Sequence, residues 1–189
     1  MSHSPLSAPL SVCVYCGSRF GANPSYKAAA FDLGQGLAQA GWRLVYGAGD
    51  VGLMGEVAKA AQGAGGNTFG VIPEHLLKRE AGKRDLTRFI VTENMHERKK
   101  VMFMNSDAIV VLPGGAGSLD EFFEAVTWRQ LGLHQKPIFL LDINGYWQPL
   151  LALSDHIIDQ GFAEASLRDY FTAVSDVPTL LEALAARLS

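Results

Sequence analysis

The chain has no long apolar run and no strong charge bias, and both absences narrow its partners. Sixteen basic against nineteen acidic residues leave a formal net charge of −3, so neither nucleic acid nor an anionic membrane is drawn in by long-range attraction. Any anion must be held locally. No apolar stretch approaches the ~20 residues of a membrane span, and Met1 to Leu10 carry neither a positive n-region nor an apolar core of the kind a secretory leader has. A cytoplasmic protein with no membrane and no nucleic-acid partner is expected. Cysteine is scarce as well, limited to Cys13 and Cys16. Their C-x-x-C spacing falls in an apolar run that reads as a strand, where residues three apart point to opposite faces, so reduced core thiols are expected rather than a redox pair. Two thiols cannot fill a four-ligand zinc site, and His96-Glu97 has Lys100 where H-E-x-x-H needs its second histidine. No metal site is predicted. The absence of any Gly-Lys-Ser/Thr also counts against a P-loop ATPase or kinase.

What the chain does have is 189 residues with 48% hydrophobic and 19% charged, enough for one well-buried core. Short apolar runs alternate with segments of helical period: Ser11 to Cys16, Arg43 to Tyr46, Thr68 to Ile72, Phe89 to Thr92, Ala108 to Leu112, Ile138 to Asp142 and Phe171 to Val174. Between them Pro24 to Ala40, Leu53 to Ala64 and Leu119 to Leu131 each close on a glycine, the residue that tolerates a left-handed helix end. Near-continuous apolar strands in a β-α alternation imply a parallel sheet covered on both faces. The expected fold is therefore α/β, a single doubly wound Rossmann-like domain over residues 11–189 after a flexible N-terminus at 1–10. Ligands of such sheets bind beyond the carboxyl ends of the strands.

Three segments lie where that edge should be. Gly47-Ala48-Gly49-Asp50-Val51-Gly52 is a G-x-G-x-x-G between a strand and a helix. It fits a dinucleotide loop with Glu74 as ribose partner, or a turn that lets helix and strand pack closely; its place after the second strand, and Glu74 lying beyond Pro73, count against the dinucleotide. Pro113-Gly114-Gly115-Ala116-Gly117-Ser118 also follows a strand and enters a helix. Free amides at such a helix start cradle a phosphate. Ser118-x-x-Glu121 just after it fits either a capping box or a carboxylate set beside the phosphate for catalysis. Asp120 brings a second negative charge to the same helix start, so one of the two carboxylates is expected to point away. In Met95-His96-Glu97-Arg98-Lys99-Lys100, capped by Asn94, three successive cations oppose the helix dipole. A bound anion would account for Arg98, and a solvated face for Lys100.

Taken together these segments resemble the Lonely Guy family over nearly the whole chain. The most specific features are Pro113-Gly114-Gly115-x-Gly117-x-x-x-Glu121 with Met95-His96-Glu97-Arg98-Lys99; Gly52-Leu53-Met54-Gly55 and Thr127-Trp128-x-Gln130-Leu131-Gly132 agree with them. The resemblance implies hydrolysis of an N6-modified adenosine 5′-monophosphate, or AMP, to free base and ribose 5-phosphate, by a homodimer that needs no cofactor. It puts the catalytic pair at Arg98 and Glu121, and nucleotide contacts at Glu80, Lys99, Gly115, Ala116, Gly117, Ser118 and Thr127. Three departures stand out: Ser118 where the family usually has Thr, Ala48 where it often has Gly, and Asp142 where relatives often carry Asn, a charge that bears on substrate preference. The alternatives are a nucleotide or molybdenum-cofactor carrier of the same fold without hydrolysis, and an NAD-binding oxidoreductase using Gly47 to Gly52.

Overall fold

The structure, a computed structural model, describes residues 9–77 and 85–188. Its strands are β1 (Ser11–Tyr15), β2 (Arg43–Tyr46), β3 (Thr68–Pro73), β4 (Arg88–Thr92), β5 (Ala108–Val111), β6 (Ile138–Leu141) and β7 (Thr172–Val174). They form one parallel sheet in the order β4-β3-β2-β1-β5-β6-β7. Each expected strand is present to within one residue at either end. Parallel pairing requires long crossovers, supplied chiefly by α1 (Pro24–Gln39), α2 (Gly52–Gly63), α3 (Met95–Met104), α4 (Ala116–Gln130), α5 (Gln148–Asp159) and α6 (Val177–Leu188).

Side chains alternate across each strand, so the sheet carries two cores. Leu33, Val57 and Leu180 of α1, α2 and α6 pack on Val12, Val14 and Leu44 of one face. Met102, Phe122 and Leu150 of α3, α4 and α5 pack on Tyr15, Val45 and Ile109 of the other. Cys13 and Cys16 fall in opposite cores, both free and buried. Burial pushes each thiol well above the ordinary range, which leaves them inert as nucleophiles. No described helix is long and apolar enough to cross a membrane.

The strand order reverses at β1, which pairs with β2 on one side and β5 on the other. The chains leaving β1 and β5 therefore diverge, into α1 on one face and α4 on the opposite one, and open a crevice between them. Its floor is fixed where the Gly17 N–H donates to the Pro113 carbonyl at 3.1 Å.

Behind α4, His134 links the helix to the strand that follows. Its Nδ1 accepts from the Lys136 N–H at 3.1 Å, which leaves Nε2 to donate to the Ala125 carbonyl at 2.8 Å. The ring is thus neutral. Burial, followed by the charges of Arg129 and Lys136, lowers its pKa below 6.5 against the opposing pull of the Ala125 bond. Between that lowered value and 6.5 the unfolded chain binds the proton more readily than the folded one, so stability rises with pH there and falls on acidification. The melting temperature of the wild type is expected to fall faster than that of His134→Leu as pH drops below 6.5. Parallel melting curves for the two proteins would contradict this account.

Candidate active site

A cavity of about 480 Å³ opens at the crevice, lined from the ends of β1, β2 and β5 and the starts of α2, α3 and α4. The chain leaving β5 runs through Pro113 and Gly114 to Gly115, whose extended backbone (φ −92, ψ −154) caps α4 without a side-chain hydrogen bond. The first intrahelical bond runs from the Leu119 N–H to the Gly115 carbonyl at 3.1 Å. The amides of Ala116, Gly117 and Ser118 lie before it, at the positive end of a 15-residue helix whose first turn holds no acid. Gly115, Ala116, Gly117 and Ser118 all line the cavity. This is the geometry of an anion site.

The same helix start removes one of the two alternatives for Ser118-x-x-Glu121, the capping box. Because α4 begins at Ala116, three residues earlier than expected, Ser118 is its third residue and Glu121 its sixth. Neither stands at the cap. Glu121 instead faces the cavity from the second turn. Burial pushes the Cys16 thiol up, the Glu121 charge adds to that shift and the Arg98 charge opposes it, so both side chains act on one strand end at the cavity wall.

Arg98 is buried in the first turn of α3, whose start is fixed by Asn94 accepting from the Glu97 N–H at 3.0 Å. Its Nε donates to the Val71 carbonyl at 3.1 Å and its Nη2 to the Gly47 carbonyl at 2.6 Å. The guanidinium is thereby anchored over the ends of β2 and β3. The seating of Arg98 requires glycine at position 47, since a Cβ there would lie 1.9 Å from Nη2. At Gly52 a Cβ would meet the Ser18 and Arg19 backbone at 2.2 and 2.3 Å. Close packing and the seating of Arg98 thus account for two glycines of the G-x-G-x-x-G. Glu74 opens a short 3₁₀ turn after β3 and does not line the cavity.

Lys99 is buried beside Arg98 but turned elsewhere: its Nζ donates to Asp120 at 3.0 Å and to Glu124 at 2.8 Å. Burial alone would lower its pKa, and the bonds to Glu124 and Asp120 outweigh that and hold it above the ordinary value. Both carboxylates at the helix start, Asp120 and Glu121, line the cavity, so neither points away as expected; Asp120, its side chain 60% exposed, is paired with Lys99. The ammonium offsets a negative charge that would otherwise repel a phosphate at the start of α4. Lys99→Met is expected to weaken ribose 5-phosphate binding roughly three- to tenfold, the reach of one partly screened charge, as read by calorimetry. Unchanged affinity would show that Lys99 acts only on the fold.

Of the remaining expected contacts, Thr127 is exposed farther along α4 and does not line the cavity, and Glu80 lies outside the described residues. Ala48, the departure that matters only if its φ is positive, has φ 56 and is fully buried. Asp142 does not reach the cavity: its Oδ1 accepts from the Trp147 N–H and its Oδ2 from Gln148 Nε2, both at 2.6 Å. Its charge is spent on the turn after β6. The cavity also takes Tyr26, Met54, Met102 and Tyr146, which give it an apolar, aromatic wall. Of these only Met54 falls in a motif, Gly52-Leu53-Met54-Gly55; the other three carry no local signature, because apolar and aromatic residues of helices and turns read as core.

A family model described as "Possible lysine decarboxylase" matches residues 54–184. The probable cytokinin riboside 5′-monophosphate phosphoribohydrolase LOGL9 of Oryza sativa subsp. japonica is 44% identical over 173 residues, covering 92% of this chain and 76% of the relative. The cytokinin riboside 5′-monophosphate phosphoribohydrolase LOG5 of Arabidopsis thaliana is 42% identical over 175 residues, covering 93% and 77%. Among solved structures, the Moco carrier protein of Chlamydomonas reinhardtii superposes with a TM-score of 0.71 at 23% identity, covering 96% of this chain and 98% of that one. The molybdenum cofactor binding protein of Rippkaea orientalis gives 0.72 at 22%, covering 97% and 99%. At that identity these two structures bear on the fold alone. The likeness to the plant enzymes runs over nine-tenths of the chain and three-quarters of each relative, and on that basis this protein belongs to the Lonely Guy family, the cytokinin riboside 5′-monophosphate phosphoribohydrolases.

Proposed function

We propose that this protein hydrolyses the N-glycosidic bond of a nucleoside 5′-monophosphate, an N6-modified adenosine 5′-monophosphate or AMP, to free base and ribose 5-phosphate. The observation that carries the reading is the meeting of a helix start without a side-chain cap, a carboxylate and an anchored guanidinium in one cavity. The amides of Ala116 to Ser118 hold the phosphate and so fix the ribose. As the bond from C1′ to the base breaks, its electron pair leaves with the base and positive charge gathers on the ribose. Glu121 offsets that charge and takes a proton from the water whose oxygen bonds to C1′, and the base, which leaves with the bonding pair, takes up a proton to become the free base. Arginine keeps its proton at neutral pH, so Arg98 serves as a fixed positive charge. It is held on the β2–β3 side of the crevice, away from the phosphate cradle on β5 and α4, and we assign it to the negative charge that develops on the departing base. Reaction in ¹⁸O-labelled water is expected to place one label in ribose 5-phosphate and none in the base. Unlabelled sugar would overturn hydrolysis.

We propose further that the protein is a cytoplasmic homodimer. Met104, Leu131 and Leu133 are exposed at the ends of α3 and α4, which the Phe103 and Trp128 rings join at 4.8 Å. An apolar surface of this kind supports a homodimer. Two free, buried thiols suit a reducing cytoplasm. The carrier reading shares the fold, and turnover is what separates it from the enzyme.

A further inference from the structure

The turn after β6 reaches the phosphate loop through Tyr146. Its hydroxyl donates to the Gly114 carbonyl at 2.6 Å, across 32 residues of chain. The turn that carries it is braced on three sides. Asp142 accepts from Trp147 and Gln148. Asn144, in a left-handed conformation with φ 54, donates from Nδ2 to Ser25 Oγ at 2.7 Å. The Tyr146 ring meets Tyr26 edge-on at 5.4 Å and Trp147 at 4.7 Å. A hydroxyl so firmly placed fixes what it touches.

What it touches is the peptide joining Gly114 and Gly115, the most easily rotated unit of the loop, since neither residue has a side chain to limit it. In a trans peptide the carbonyl and the next N–H point in opposite directions, and the described residues contain no cis bond. Holding the Gly114 carbonyl toward Tyr146 therefore turns the Gly115 N–H the other way. Were this peptide to flip, a carbonyl oxygen would take the place of that N–H beside the helix start, and oxygen repels phosphate.

We propose that Tyr146 is a positioning residue for phosphate recognition, setting the Gly114–Gly115 peptide so that the Gly115 N–H joins those of Ala116 to Ser118 on the 5′-phosphate. The inference rests on the phosphate-loop reading given under the proposed function. Tyr146→Phe tests it, because the ring and its contacts with Tyr26 and Trp147 remain while the bond to Gly114 is lost. One neutral hydrogen bond sets the scale. Ribose 5-phosphate, titrated by calorimetry, is expected to bind about three- to tenfold more weakly, adenine to bind as in the wild type, and KM for AMP to rise with kcat nearly unchanged. Asn144→Gly, which keeps the left-handed turn and removes the brace to Ser25, is expected to move the same quantities in the same direction by less. It serves as the test if Tyr146→Phe fails to fold. Wild-type affinity for ribose 5-phosphate in Tyr146→Phe, or an equal loss for adenine, would overturn this role and leave the enzyme reading standing. A wild type that binds neither ribose 5-phosphate nor AMP would overturn both.

Discussion

Glu121→Gln is expected to give a folded protein that still binds AMP but releases base roughly a hundredfold or more slowly, the range for loss of one group acting in the transition state. Glu121 is the sixth residue of α4 and makes no cap, so its replacement leaves the helix start as it is. Gln has nearly the same shape and fills the same space. What it lacks is the negative charge, and with it both the offset to a ribosyl cation and the base for water. Initial rates at saturating AMP, beside melting curves, separate the two effects. A normally folded variant that works near the wild-type rate would remove Glu121 from the mechanism.

Gly47→Ala is expected to be as damaging to catalysis, by unseating Arg98. A Cβ at this position would stand 1.9 Å from Arg98 Nη2 and 2.8 Å from its Cζ, so the guanidinium must leave its seat. Its bonds to the Gly47 and Val71 carbonyls go with it. Hydrogen bonds from a charged donor contribute about 1.5–3 kcal/mol each. Losing the better part of two should lower the melting temperature by roughly 6–12 °C in a chain of this length. With Arg98 displaced, base release should fall by on the order of a hundredfold. Ala48→Gly is the control from the same loop. It relieves a left-handed φ that costs an L-residue about 1–2 kcal/mol but gives up a buried methyl worth about 0.8 kcal/mol and adds chain entropy to the unfolded state. It should be nearly neutral in stability and activity. A Gly47→Ala protein with full activity would mean that the seat of Arg98 is unimportant.

The fold was legible because strand burial leaves a direct trace. β1, β5 and β6 are apolar at almost every position since helices cover both faces of the sheet, and their ends could be read to within a residue. The start of α4 was not legible in the same way. A glycine cap has no side-chain oxygen to announce it, so Ser118, three residues inside, carried the more familiar signature and suggested a box that does not form. The three successive cations of α3 suggested a bound anion for Arg98 and a solvated face for Lys100. The partners of Arg98 and Lys99 are the carbonyls of Gly47 and Val71 and the carboxylates of Asp120 and Glu124, all 21 to 51 residues away, and no local pattern encodes contacts of that range. Tyr146 was missed for the related reason that its bond to Gly114 depends on β6 lying next to β5. Asp142 looked like a charge near a substrate and proved to be the brace of that turn.

The most direct test of the account compares AMP and isopentenyl-AMP with their nucleosides, adenosine and isopentenyladenosine, under one set of conditions, with the products separated by chromatography. Because the phosphate is held by the start of α4 and positions the sugar between Glu121 and Arg98, free base and ribose 5-phosphate should appear from at least one of the monophosphates. The nucleosides should yield almost no base. Base released from the nucleosides as fast as from the monophosphates, or no base from any of the four, would contradict it.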